Sequence, residues 1–104
     1  MNKEQFFLTK IAEECTEISK VALKAQQFGL DNVKEGQLLT NRERLIEELN
    51  DLFVILSMMD ANDLLVLSYY TDNEVEQKQN KVIKYLNKSI ELGLIDADNK
   101  QGEN

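Results

Sequence analysis

Two short acidic clusters hold the residue types in this sequence that can do chemistry. They read EECTE and EELND, and each contains two acids spaced three residues apart, Glu14 with Glu17 and Glu48 with Asp51. Side chains at that spacing lie on the same face of an α-helix, about one turn apart. Paired carboxylates of this kind serve two purposes in proteins, the ligation of hard divalent cations and general acid–base catalysis.

The rest of the composition narrows that chemistry. The 104 residues include no histidine and a single cysteine, Cys15. This excludes histidine-based acid–base catalysis, Ser-His and Cys-His nucleophile pairs, the Glu-x-x-His motif of di-iron bundles and a multi-cysteine zinc site within one chain. The net charge of −7 opposes binding to a nucleic-acid backbone or an anionic membrane. We therefore expect neither polymeric nucleic acid nor a membrane as a partner.

The elements that must position these acids are predicted to be helices. The chain has no proline and only four glycines, and its abundant Leu, Ile, Glu and Lys favour the α-helix. The predicted helices cover about residues 2–28, 40–59 and 71–92. Gly29 and Gly93 stand where the first and third must end, because glycine adopts the left-handed conformation that closes helices. We expect a single all-α domain over 1–95 and a flexible polar tail over 96–104.

Local hydrogen-bonding motifs mark where the second and third helices begin. Each has a capping box, in which a threonine and the glutamate three residues later satisfy backbone donors reciprocally. The two boxes are Thr40 with Glu43 and Thr71 with Glu74. The periodicity fades over 29–39, which predicts a loop with room for a short helical turn, long enough to take part in function. The apolar segment 64–70 leaves helix and strand open.

The acids fall among apolar residues when each helix is projected along its axis at about 100° per residue. Glu14 lies inside the apolar arc of the first helix and Glu17 lies at its edge, while Glu48 and Asp51 fall among apolar residues of the second. That first arc comprises Phe7, Ile11, Cys15, Ile18, Ala22 and Ala25. A carboxylate in such an arc is costly unless it is protonated, paired or bound to a cation. Exposure to solvent is the ordinary fate of helical acids, but the repeated anomaly favours a metal site built from all four carboxylates, with Mg²⁺ or Mn²⁺ as the cation.

The double acidic motif resembles that of the MazG-like, all-α nucleoside triphosphate pyrophosphohydrolases. The likeness extends over about residues 8–95 and includes a Lys-Ala-x-x-Phe-Gly segment that begins at Lys24 and a lysine-rich third helix. It implies a MazG-like helical bundle completed by oligomerisation, and a metal held by Glu14, Glu17, Glu48 and Asp51. It also implies cleavage of a nucleoside triphosphate to the monophosphate and pyrophosphate. A metal-activated water would be the nucleophile, and Glu17 or Glu48 would accept its proton.

Lysines are the candidates for substrate contact. The resemblance points to Lys24, and the third helix carries a basic stripe of which Lys81 is the best phosphate-contact candidate. A solvated surface is the ordinary explanation of such a stripe. The opposing argument is that a triphosphate approaching a chain of charge −7 benefits from local positive groups.

The second helix also predicts a homo-oligomer. Between Leu52 and Met59 only Ser57 is polar, and a helix that is apolar nearly all the way round must be covered on more than one side. We expect a homodimer or homotetramer. We also expect a cytoplasmic location, because no signal peptide and no apolar run of membrane length is evident.

Two other functions explain part of the pattern. A non-enzymatic acidic helical module that binds a protein partner accounts for the net charge and the predicted oligomer, but not for acids placed in two apolar arcs at matching spacing. A carboxylate metal buffer without turnover accounts for the ligands, but not for the lysine-rich helix. We therefore keep the pyrophosphohydrolase as the leading hypothesis.

Overall fold

The computed structural model describes residues 1–96. Within that range it contains three α-helices, α1 (Lys3–Phe28), α2 (Asn41–Ala61) and α3 (Asp72–Glu91), and no β-strand. The all-α prediction is therefore confirmed, and each helix begins and ends within two residues of its predicted bounds. Most of the predicted tail, residues 97–104, lies outside the described residues. No helix in the described range combines the length and the apolar character needed to span a bilayer.

Side-chain caps and left-handed residues set the helix ends. In the capping box of α2, the hydroxyl of Thr40 accepts from the backbone N–H of Glu43 at 3.1 Å, while the Glu43 carboxylate accepts from the Thr40 N–H at 3.0 Å. The same pair of bonds opens α3. Gly29 follows α1 with a φ of 98°, a conformation that is strained for residues with a side chain. These local bonds explain why the bounds were predictable.

The backbone divides into two compact units, Met1–Leu67 and a second that begins at Ser68. In the first unit α1 and α2 form an antiparallel hairpin. Lys3 Nζ donates to Asn62 Oδ1 at 2.8 Å, which joins the start of α1 to the end of α2. At the other end of the hairpin the buried side chain of Asn41 donates to the carbonyl of Gly29 at 2.9 Å.

The contact between α1 and α2 is a narrow seam rather than a broad face. Its buried and half-buried positions alternate at spacings of three and four residues, the pattern of coiled coils. On α1 this run is Phe7, Ile11, Glu14, Ile18, Val21 and Ala25, and on α2 it is Asn41, Leu45, Glu48, Leu52, Ile55 and Met59, while Lys10, Arg44 and Leu56 are half-buried outside it. We call these twelve residues the seam.

The seam corrects the predicted apolar stripe of α1 at two positions. Cys15 and Ala22 were expected on the buried side, but both are exposed, and Glu14 and Val21 occupy the seam instead. The reason is geometric, since one facing helix covers a strip with a repeat of about 3.5 residues and cannot cover the whole apolar arc. A glutamate at a seam position is therefore part of this packing.

The second unit contains α3, which is amphipathic. No residue of α3 is buried. Val82, Ile83 and Leu86 are exposed, and Ile90 is half-buried. The segment 65–70 that precedes the helix has neither helical nor strand structure.

Candidate metal centre and adjoining basic cleft

Three carboxylates from the two hairpin helices meet at the seam. Glu14 of α1 and Glu48 and Asp51 of α2 each have one oxygen within 4.8 Å of the other two. Glu14 and Glu48 are half-buried, and Asp51 is exposed. The register of the hairpin explains the meeting, because Glu14 and Glu48 occupy opposed seam positions and Asp51 follows Glu48 by about one turn. We call these residues the acidic triad.

The electrostatics of the triad act against the charged form of Glu48. The pKa of Glu48 is raised above its ordinary value, first because partial burial removes water from the carboxylate. The negative charges of Asp51, Glu17 and Glu14 raise it further, and the positive charge of Arg44 opposes them. Binding of a proton or a cation would therefore reduce the repulsion between these carboxylates.

The donor set of the triad fits a hard divalent cation. Oxygens on opposite sides of a bound Mg²⁺ are about 4.2 Å apart, twice the metal–oxygen distance of about 2.1 Å. The three triad oxygens, which lie within 4.8 Å of one another, would have to move closer together to share one such ion, since only one pair among three ligands can be opposite. Asp51 lies at the exposed edge, so a cation here would keep coordination positions open towards solvent. Carboxylates alone suit Mg²⁺ or Mn²⁺ rather than softer metals.

Glu17, the fourth predicted metal ligand, lies outside the acidic triad. Its side chain is exposed, and its carboxylate lies 3.6 Å from the ammonium of Lys20. It is close enough for its charge to raise the pKa of Glu48. Of the four predicted ligands, the fold thus brings three together and leaves Glu17 beside them.

A cleft of about 490 Å³ lies at the loop end of the hairpin. Its lining contains three cations and one carboxylate, together with amide and apolar side chains. These residues are Lys24, Phe28, Asn32, Val33, Lys34, Glu35, Asn41 and Arg44. Backbone hydrogen bonds hold the loop in place, from Asn41 N–H to the Asn32 carbonyl and from Arg42 N–H to the Leu30 carbonyl, both at 2.9 Å. We call this feature the basic cleft.

The predicted substrate residue Lys24 lines the basic cleft. Its ammonium lies 5.7 Å from the centre of the Phe28 ring, within the range of a cation–π contact. Sequence reasoning missed two other cations of the cleft, Lys34 and Arg44. Arg44 had a detectable signal, because it precedes Glu48 by four residues and so shares its helix face. Lys34 had none, since it lies in the loop where periodicity is lost.

Lys81, the second predicted substrate residue, belongs to α3 in the other unit. It lines a smaller pocket of about 160 Å³ whose other residues are Tyr70, Glu74, Gln77 and Lys78. This pocket is a mixed surface of acid, base and aromatic ring. The role of Lys81 in substrate binding stays a prediction.

Comparison of the chain with protein-family models, with curated proteins and with solved structures finds no match. The resemblance to the MazG-like hydrolases therefore stays a prediction from the sequence motifs. Any functional conclusion must rest on the acidic triad, on the basic cleft and on the chemistry that their residues allow.

Proposed function

We propose that the protein is a metal-dependent nucleoside triphosphate pyrophosphohydrolase, which cleaves a ribo- or deoxyribonucleoside triphosphate to the monophosphate and pyrophosphate. The observation that carries the proposal is the placement of Glu14 and Glu48 in an apolar seam, with Asp51 beside them. Acidic residues that had no role beyond keeping the surface hydrated would point into water. Held together at the seam, they repel one another unless one of them is protonated or a cation lies between them.

The acidic triad would hold the cation, Mg²⁺ or, as an alternative, Mn²⁺. When bound, such an ion polarises phosphoryl oxygens and lowers the pKa of a coordinated water. Glu17 is our candidate for the general base because it lies beside the triad and is exposed, whereas Glu48, the other candidate, is one of the three triad carboxylates. Glu17 would take the proton of the attacking water as the new phosphorus–oxygen bond forms. The α–β anhydride bond breaks, and pyrophosphate leaves with the electron pair.

The acidic chain would need cations to accept a triphosphate. Lys24 supports this part of the proposal, because it lines a cleft at the loop end of the same hairpin. The positive groups would offset repulsion between the substrate and a chain of net charge −7.

We propose further that the protein acts as a homodimer or homotetramer in which a second copy covers the outer face of α2. The centre of this face is uncharged, and its residues are Asn50, Phe53, Val54, Ser57, Met58 and Ala61. Glu47 and Asp60 flank it in the helical projection. Phe53 and Val54 are 60% and 57% exposed. Two copies that each carry net negative charge would repel one another least if they met across this uncharged centre, and burial of its apolar side chains would stabilise the pair.

A pyrophosphate-release assay tests the enzymatic proposal. The protein is incubated with a panel of ribo- and deoxyribonucleoside triphosphates and Mg²⁺ or Mn²⁺, and pyrophosphate is followed. We expect turnover that a chelator abolishes, that Glu48→Gln abolishes, and that the matched control Glu47→Gln retains. If no triphosphate is turned over with either metal, the proposal is wrong and the non-enzymatic acidic module takes its place.

A further inference from the structure

We infer that the basic cleft is the nucleotide-binding site, with the nucleoside against Phe28 and the phosphate chain running past Lys24 and Lys34 to Arg44. That the phosphate chain runs towards the acidic triad is the part of this inference that rests on the proposed function. The binding of a polyphosphate by the cleft is a separate claim that stands on the residues of the cleft.

The charge of the cleft is opposite to that of the chain as a whole. The chain has 19 acids and 12 bases, yet the cleft places Lys24, Lys34 and Arg44 against one carboxylate, that of Glu35. Cations that converge on one concavity attract a multiply charged anion and raise its local concentration. A phosphate chain is the ligand class that fits, because lysine and arginine donate charge-assisted hydrogen bonds to phosphate oxygens.

Arg44 links the basic cleft to the acidic triad. It lines the cleft, is half-buried, and precedes Glu48 by four residues on α2. The two residues are therefore on one helix face, about 6 Å apart along the axis. A phosphate chain held at Arg44 would reach a cation at the triad without leaving the surface of the hairpin.

The other walls of the cleft suit a nucleoside. Phe28 is 55% exposed, and an exposed aromatic ring can stack with any of the nucleobases. The volume of about 490 Å³ lies in the range of small-molecule sites, about 300–1,000 Å³. The buried Asn41 side chain donates to the Gly29 carbonyl at 2.9 Å, which ties the start of α2 to the loop wall of the cleft.

Isothermal titration calorimetry on the full chain, in saturating Mg²⁺, tests the inference without turnover. The probes are inorganic tripolyphosphate and the α,β-imido analogue of a nucleoside triphosphate. We expect Lys34→Gln to weaken both probes about 10-fold. We expect Phe28→Leu to weaken the nucleotide analogue about 10-fold and to leave tripolyphosphate unchanged. Lys3→Gln is the matched control, since it removes the same charge at the opposite end of the hairpin.

Each outcome separates this inference from the proposed function. If Lys34→Gln binds both probes as Lys3→Gln does, or if the wild-type chain binds neither probe, the cleft is not the site. If the cleft variants weaken binding as expected while the wild-type chain turns over no triphosphate, the cleft stands and the hydrolase proposal fails. Circular dichroism on each variant checks that the helices are intact.

Discussion

Replacing Glu48 by glutamine should stabilise the metal-free protein and destabilise the metal-bound one. The substitution removes one of three carboxylates whose oxygens lie within 4.8 Å of one another. At that distance two unit charges repel by about 0.9 kcal/mol in the dielectric of water and by about 3.5 kcal/mol at an effective dielectric of about 20. Asp51 is exposed and Glu14 is only half-buried, so solvent screens both pairs and the lower figure is the guide to the total. We expect Glu48→Gln to raise the free energy of unfolding in EDTA by about 1 kcal/mol.

The pH dependence of this gain has a definite sign. The folded chain raises the pKa of Glu48 above its ordinary value of 4.5, so the folded state binds the proton more tightly than the unfolded state. The contribution of Glu48 to stability is therefore full below pH 4.5 and is lost as the pH rises through its raised pKa. In EDTA the wild-type chain and Glu48→Gln should differ little at pH 4 and by about 1 kcal/mol at pH 7.

Mg²⁺ should reverse the order of stability. A ligand that binds only the folded state adds about 2.7 kcal/mol to the free energy of unfolding at 100 times its Kd. Glu48→Gln lacks one ligand and should gain little, so the wild-type chain becomes the more stable of the two. Thermal melts report both effects, because 1 kcal/mol corresponds to about 4–8 °C in a domain of this size.

The matched control for this crossover is Glu47→Gln. It removes the same charge from the neighbouring exposed position of α2, outside the acidic triad. It should leave the Mg²⁺ response of the wild-type chain intact. If the wild-type chain and Glu48→Gln respond equally to Mg²⁺, Glu48 is not a metal ligand. If Glu48→Gln is less stable than wild type in EDTA at pH 7, the carboxylates of the triad do not destabilise the metal-free protein.

Three further predictions concern the base, a cap and the outer face of α2. Glu17→Gln should lower kcat by about 10²- to 10⁴-fold while the Mg²⁺ shift in Tm stays as in the wild type; loss of that shift would make Glu17 a ligand. Thr40→Ala should lower the free energy of unfolding, measured by urea denaturation, by about 1 kcal/mol. Hydrogen bonds from Thr40 hold the pKa of Glu43 below its ordinary value. The part of the cap that the Glu43 carboxylate makes therefore contributes above pH 4.5 and is lost as the pH falls through that lowered pKa. An unchanged urea midpoint in Thr40→Ala would contradict the capping role of Thr40. Phe53→Asp should give a monomer in sedimentation equilibrium, and Leu38→Asp, at a residue 95% exposed, should not; equal masses for the two would remove the proposed interface.

The three helices and their ends follow from the amino-acid sequence alone. Thr40 and Thr71 begin helices, and Gly29 follows the end of α1, because caps and left-handed turns depend on hydrogen bonds and steric limits within a few residues. The sequence also showed that Glu14 and Glu48 point towards the apolar side of their helices, since side-chain direction about one axis follows from 3.6 residues per turn.

Which of these acids lie close together depends on the tertiary structure. The direction of a side chain about its own helix does not say how far the partner helix is offset along the axis, and that offset is set by the loop and by seam packing. The antiparallel register brings Glu14, Glu48 and Asp51 together and leaves Glu17 outside. The narrowness of the seam exposes Cys15. Lys34 of the loop and Arg44 of α2 line the same cleft. Helical periodicity could not predict this, because the position of Lys34 depends on how the loop closes.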